Sequence, residues 1–478
     1  MRLKIPEHPE LLGHAELVTL VGVLKKRLLL QEAELDELRR AAKRQASPYR
    51  RRKKKTDCKR PGRKANQGTF AHRGPPALGE ITDEDESDRP ASCPCCGGTE
   101  LEDRGFEDVF ITELPALPRP QVKRVRMWMR QCQACSTKVR GSHADVADDQ
   151  RGATAHRLGP RVKTAAIVLH YGRGIPQRKV PAVLADLTGV QVTQGALAQD
   201  AVKRAKKGPA KQRYEELRGS LKKEPVVHTD DTGFCIGAKP AQLMCFTTPD
   251  TAQYPGISVF QIRHQHRNEE VRELIPADFK GTMVTDRGAA YDARVLAAVK
   301  KQKCLPHVLR NLAKALEQQT GAARDFGTEL TRLFKSALEL RRTFDSAAIS
   351  RPLFDVQAAA LDRRIGQHLA CHRRFTDLDN RRLHNELGRH YHEGSLTRFL
   401  RDPSIPTNNN LAERELRPAV VARKVSHCVK TETGARAHEC LISVVRTEQR
   451  AHPASLVDAV AARLYPGTSP TSLRAAPT

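Results

Sequence analysis

Between Leu17 and Ala42 apolar residues recur at alternating intervals of three and four: Leu17, Val21, Leu24, Leu28, Leu35, Leu38 and Ala42, with Gln31 interrupting one seam position. That period predicts a short coiled-coil helix. The same stripe also suits an amphipathic helix packed on its own domain; Gly22 weakens either helix, and Leu29 and Leu30 broaden the stripe. The period changes to two in "FEDVFITELP" and "QVKRVRMWMRQ" (106–131), which predicts two β-strands of a small hairpin sheet. In "IPQRKVPAVLADLTGVQVTQGALAQDAVKRAKK" the pattern predicts a helix ending near Leu187, a turn at Gly189 and a second helix begun by a Thr193 cap. This spacing suits a helix-turn-helix, and also helix pairs that never touch DNA; the basic residues at 203, 204, 206 and 207 favour phosphate contact.

After residue 224 the pattern predicts a strand "PVVHT" ending in Asp230, a hairpin through "GFCIGAKPAQLMCFTT", a strand "ISVFQIR", a helix "NEEVRELI" and a strand "GTMVT" ending in Asp286. That succession matches the first half of an RNase H-like α/β domain, in which the first and fourth strands lie side by side. Asp230 and Asp286 are then neighbours. From 304 to 402 the sequence reads as mainly helical, with many Arg and His, as an insertion with a basic face for DNA.

A third acid for the same point comes from "PTNNNLAERELRPAVVARK", where Asn410 caps a helix whose third residue is Glu413. Three converging carboxylates hold two divalent ions roughly 3.5–4 Å apart, the arrangement for phosphodiester cleavage. Bland readings stand beside each acid. Asn410 and Glu413 form a capping box, Glu413 and Arg417 an i,i+4 pair, and Glu415 is a decoy next door. Asp230, in "DDTG", and Asp286, in "TDRG", also read as strand-end turn residues. Pro418 is expected to kink or end the helix. Cys304-x-x-His307 follows a strand and has the spacing of a metal pair, but with no second pair nearby it reads as packing, and His228 either orients a phosphate or sits on a strand surface.

Charge narrows the partner. The 478 residues carry 82 Lys and Arg against 55 Asp and Glu, a formal +27, which calls for a polyanion, nucleic acid first. Much of the excess lies in "RRAAKRQASPYRRRKKKTDCKRPGRKANQGTFAHRGPP", a tract expected to be flexible and to neutralise phosphates through Arg50, Arg51, Arg52, Lys53, Lys54, Lys55, Arg60, Arg63 and Lys64. A solvated linker without ligand is the alternative. No apolar run approaches the roughly 20 residues of a spanning helix, and "MRLKIPEHPELLGH" lacks a secretory pattern, so no membrane and a cytoplasmic, nucleoid-associated location are expected.

Of 12 cysteines, Cys93 and Cys96 in "SCPCCGG" and Cys132 and Cys135 in "RQCQACS" form two knuckles able to complete one tetrahedral, structural Zn²⁺ site. Cys95 is a bystander, or replaces Cys96 if the knuckle differs.

Taken together, the zipper-like helix, the basic tract, the cysteine knuckles, "HTDDTG", "VTDRGAAYDA", "CLPHVLRNL", "NNNLAERELRP" and the following "ARK" resemble the DDE transposases of the insertion sequence 66 family, over most of the chain. The resemblance implies Asp230, Asp286 and Glu413 as the acids for two Mg²⁺ (or Mn²⁺) ions, and DNA as partner, both terminal inverted repeats and target. It also implies zinc-assisted DNA binding. The family usually has Glu where this chain has Asp231 and Asp where it has Asn408; the first change is conservative, and the second keeps a capping residue while removing a charge.

The expected organisation is multidomain α/β: a coiled-coil-like dimerisation helix (1–46), a basic linker (47–90), a zinc ribbon (91–140) and a helical DNA-binding region (150–220). Then follow the RNase H-like core (221–303), its helical insertion (304–402), the core's last part with the Glu413 helix (403–465) and a disordered tail (466–478). A homodimer or larger synaptic complex is expected, and the sequence leaves open whether small accessory proteins join it. The rival functions are a transposase-derived DNA-binding protein without catalysis and a metal-dependent nuclease that cuts without joining.

Overall fold

A computed structural model of the chain describes residues 74–112, 119–143, 146, 158–316, 321–370, 378–426 and 428–466, with single positions between 13 and 31. Of the zipper-like stripe, Val21, Leu24, Leu28 and Gln31 are described; all four are helical and exposed. Leu17, Leu35, Leu38, Ala42, the basic tract from Arg50 to Lys64 and the tail from 467 lie outside the described residues.

The chain divides into two units, residues 50–120 and the remainder. In the first, one short turn of helix (Leu78–Glu80) and a turn at Cys93–Gly98 are the ordered features among the described residues. The strand expected from Phe106 does not form over 106–112: Phe106, Val109 and Ile111 face solvent without a ladder. Alternation alone cannot hold a strand that has no apolar face to cover. Of the second expected strand, 121–131, only its end is paired, as β1 (Met129–Gln131) with β2 (Lys138–Arg140), bracketing Cys132 and Cys135.

The larger unit centres on a five-stranded mixed sheet: β3 (Val226–Ile236), β4 (Lys239–Thr247), β5 (Ser258–Arg263), β6 (Thr282–Thr285) and β7 (Lys300–Lys303), in the order β5-β4-β3-β6-β7. β3, β4 and β5 are antiparallel neighbours, whereas β6 runs parallel to β3, and β7 to β6. The first and fourth strands therefore lie side by side, as the sequence predicts. The β3–β4 hairpin turns at Gly237, where φ is +60° and Gly237 N donates to Val429 O, so only glycine suits the turn without strain.

Before the sheet come α1 (Pro160–Ile167), α2 (Val180–Thr188), α3 (Gln194–Lys206) and α4 (Pro209–Leu221). The predicted helix pair is present, with Gly189 left-handed after α2 and the Thr193 hydroxyl accepting from Ala196 N at the start of α3. Short α5 (Asn268–Arg272) joins β5 to β6, and α6 (Leu305–Leu316), α7 (Gly321–Asp345), α8 (Arg351–Ala370), α9 (Leu378–His392) and α10 (Arg398–Arg401) follow β7. These later helices bury a core of their own, with Phe334, Phe354, Ile365, Leu387 and Phe399 at its centre. The chain then returns to the sheet with α11 (Asn410–Ser426), α12 (Glu432–Ala451) and α13 (Leu456–Leu464).

Helix α12 covers the edge of the sheet. Glu439, Ser443 and Thr447 sit four residues apart on one face and accept hydrogen bonds from Ile262, Phe260 and Ser258 N, at 2.9, 2.8 and 3.0 Å. Tyr214 of α4 donates to Phe260 O (2.9 Å). A side-chain ladder thus replaces a missing strand and removes the exposed edge that invites aggregation.

Two expectations for α11 need correction. The helix runs unbroken through Pro418, which lies half-buried between the core residues Leu416 and Ala419; tertiary packing outweighs the one lost backbone bond. Asn410 is the first residue inside the helix rather than its cap, because Asn409 O accepts from Glu413 N (3.2 Å).

Candidate active site

Thr229 of β3 is paired in register with Thr285 of β6, and both are buried. The next residues, Asp230 and Asp286, are therefore adjacent: Asp286 directly follows the end of β6, whereas Asp230 lies within β3, which does not end there as the sequence predicts but runs on to Ile236. Beyond Thr285 strand β6 stops while β3 continues, paired with β4 on its other side. This leaves a gap in the sheet beside Asp230. Strand alternation puts His228, Asp230 and Thr232 on one face. That face carries α11: His228 Nδ1 lies 3.2 Å from Asn409 Oδ1, and Arg423 donates to Thr232 Oγ1 (3.1 Å). Asp231 is on the opposite face, where its Oδ1 lies 3.2 Å from His266 Nδ1. The doublet is thus sorted by pleat: Asp230 faces the helix of Glu413 and Asp231 does not.

Burial is the main cause that pushes the Asp230 carboxyl up to about 8, and the negative charges of Asp231, Asp286 and Glu413 add to it. Asp230 is therefore an electrostatic neighbour of both other predicted acids, although they lie 56 and 183 positions away by sequence. Asp286 Oδ1 accepts from Gly288 N (2.8 Å), which fixes one of its oxygens. Glu413 is partly exposed, with Oε1 3.6 Å from His307 Nε2. The oxygen donors suit a hard divalent cation, and a cation would relieve the repulsion that raises Asp230. As the side chains lie, no three His, Cys, Asp or Glu among the described residues converge on one ion position.

Neighbouring candidates separate cleanly. Glu415 is buried in a two-pronged pair with Arg446 of α12 (3.0 and 2.9 Å) and accepts from Ser258 Oγ (3.2 Å), so it ties helix to helix and strand. His228 is neither a phosphate contact nor a surface residue: it is buried, and burial pushes its ring down to about 4. Cys304 is buried as expected, its sulfur accepting from Asn409 N (3.2 Å), whereas His307, one helical turn on, reaches Glu413. Sequence reasoning passed over Asn409, His266 and Lys303. Lys303 is fully buried; its ammonium pairs with Asp292 (2.7 Å) and donates to Asp286 O (3.1 Å) and Thr285 Oγ1 (3.2 Å). A lysine in a short strand carried no pattern that distinguished it from a surface residue.

The cysteine knuckles are two turns of one kind, each taken by itself. Cys93 N donates to Gly98 O and Gly97 N to Cys93 O; Cys132 N donates to Thr137 O and Ser136 N to Cys132 O. Backbone N–H groups of Cys95 and Cys96 hold the Cys93 thiol below its usual range, and the Thr137 hydroxyl and N–H do the same for Cys135. Thiols so placed favour the thiolate that zinc requires.

Among the basic residues of the helix pair, Lys203, Lys206 and Lys207 are exposed, while Arg204 is half-buried, 3.5 Å from Asp200 and over the Tyr465 ring. Among the described residues no helix is long and apolar enough to cross a membrane.

No curated protein matches the chain. The family profile described as Transposase IS66 family matches residues 156–437. That span exceeds half of the chain and runs from before α1 into α12, taking in Asp230, Asp286, Glu413 and the elements that carry them; the chain belongs to the IS66 transposase family.

Proposed function

We propose that this protein is a DDE-type DNA transposase that cleaves and joins strands at the ends of an insertion sequence, with Asp230, Asp286 and Glu413 as the metal-binding acids. The observation that carries the proposal is the register Thr229 to Thr285, which sets Asp230 beside Asp286 while α11 brings Glu413 into electrostatic reach. The strand order, with an antiparallel run of three and two parallel additions, is the one expected of an RNase H-like core and supports the same reading.

When bound, two Mg²⁺ (or Mn²⁺) ions would supply charge stabilisation to the attacking and departing oxygens of a phosphodiester. The chain's own part is to hold the acids. Asp286 is oriented by Gly288 N, and its backbone carbonyl by Lys303. Glu413 stands on a helix anchored to β3 by Arg423 and Asn409. Nothing covalent to the protein is needed. For DNA, the reading assigns sequence-independent phosphate contacts to the basic tract (Arg50, Arg51, Arg52, Lys53, Lys54, Lys55, Arg60, Arg63 and Lys64) and to the basic end of the helix pair. For structural Zn²⁺, each cysteine pair, Cys93 with Cys96 and Cys132 with Cys135, offers two thiolates.

Cleavage and strand-transfer assays on DNA carrying the element end, with Mg²⁺, test the proposal. Wild type should cut and join; Asp286→Asn and Glu413→Gln should each lose at least about a hundredfold in both steps, since each removes several kcal/mol of transition-state stabilisation. Joining that survives Asp286→Asn would sink the assignment. Cutting without joining by wild type would identify a nuclease instead, and binding alone a DNA-binding protein.

A further inference from the structure

We infer that Asn409 is the positioning residue that sets Glu413 against Asp230, by a hydrogen-bond chain running from the strand to the helix; this rests on the proposed function above. Asn409 is fully buried, and its side-chain amide and both of its backbone groups are engaged. Its Nδ2 donates to Thr229 O (2.8 Å), the carbonyl of the peptide that joins Thr229 to Asp230. Its Oδ1 lies 3.2 Å from His228 Nδ1. Because that oxygen only accepts, the ring must present Nδ1–H toward it. Its backbone N donates to Cys304 Sγ (3.2 Å), and its backbone O accepts from Glu413 N (3.2 Å).

One residue thus links the backbone immediately before Asp230 to the backbone of Glu413. A capping role does not account for the side chain. An N-cap side chain accepts from the first turn of its own helix, and here Asn408 Oδ1 takes Asn410 N (3.0 Å), while the amide of Asn409 points into the sheet. The chemistry admits little else at this position. A carboxylate would face the Thr229 carbonyl without a donor, and an apolar residue would orphan that carbonyl and His228 together. Leu305 N also donates to Thr407 O (3.0 Å), so the start of α6 and the loop before α11 are tied at the same joint.

The test uses the full-length protein, Mn²⁺ as the probe and free-Mn²⁺ EPR as the readout. It is followed by Mg²⁺-dependent cleavage of end DNA, with DNA affinity and melting temperature as controls. For Asn409→Ala we expect Mn²⁺ affinity to fall roughly ten- to hundredfold, as removal of an outer-shell partner does. Cleavage should fall by about a hundredfold, the effect of misplacing a reacting group by an ångström, while end-DNA affinity stays within twofold. His228→Ala should move both readouts the same way, and His228→Asn, which restores an N–H at the same place, should recover them. These two variants keep the inference open to refutation if Asn409→Ala does not fold. Folded Asn409→Ala or His228→Ala protein with wild-type Mn²⁺ affinity and cleavage overturns the clamp and leaves the proposed function standing. Folded Asp230→Asn and Asp286→Asn variants that keep the Mn²⁺ binding of the wild type overturn both.

Discussion

Glu413 and Glu415 are two positions apart on one helix and chemically identical, yet their surroundings differ: Glu415 is buried and Glu413 is exposed. Glu415 offsets the buried guanidinium of Arg446, so Glu415→Gln leaves that charge uncompensated and should cost about 3–5 kcal/mol in urea unfolding. Glu413→Gln, at a partly exposed site, should leave the unfolding midpoint within experimental error while removing strand cleavage. Asp230 and Asp231 differ in their surroundings too, because β-strand alternation sends them to opposite faces. Burial also makes a pH prediction. His438 is packed beside His170, Tyr171 and Phe234, and burial, with the nearby His170, pushes its ring down to about 3. The folded state therefore refuses a proton that the unfolded chain accepts below the ordinary histidine value of about 6.5. Its stabilising contribution is present above that value and is lost as pH falls toward 3, by about 1.4 kcal/mol per pH unit. Urea titrations at pH 7, 6 and 5 should show that His438→Gln reduces this acid slope, by close to one proton at pH 5.

At the scale of elements, the signals legible in the sequence were the local ones. Thr193 caps α3 and Gly189 ends α2 because both roles depend on a residue's own backbone and its nearest neighbours. Thr193→Ala should accordingly cost about 1 kcal/mol, measured by thermal unfolding. Pro418 misled the same reasoning, since a rule for isolated helices does not count the packing of Leu416 and Ala419 against the sheet. The ladder from α12 to β5 was illegible for a related reason: its partners are 177 to 189 positions apart, and nothing beside Ser443 in the sequence marks it out. Ser443→Ala orphans the buried Phe260 N–H and should destabilise by about 1–3 kcal/mol, more than an exposed Ser→Ala on the same helix. Unfolding midpoints of the two variants compare them directly.

For the whole molecule, a formal +27 makes DNA affinity a question of salt. Replacing Arg50, Arg51 and Arg52 with Gln should flatten the log–log dependence of end-DNA affinity on salt by about 0.9 for each phosphate no longer neutralised, measured by fluorescence anisotropy. Cutting positions on bound DNA should not change. The charge excess, the cysteine pairs, the helix pair and the succession of strands after residue 224 follow from the sequence alone, because composition and short-range periodicity record them. The neighbourhood of Asp230 and Asp286 was also foreseeable, but only through the order of strands, which is a rule about connections. Tertiary structure decided the rest: that Asp230 and Asp231 lie on opposite faces of β3, that Glu415 is buried against Arg446, that His228 is buried, that His307 reaches Glu413, and that Asn409 joins helix to strand. Each of those outcomes depends on pleat phase and on contacts spanning a hundred or more positions, and a one-dimensional pattern carries no record of either.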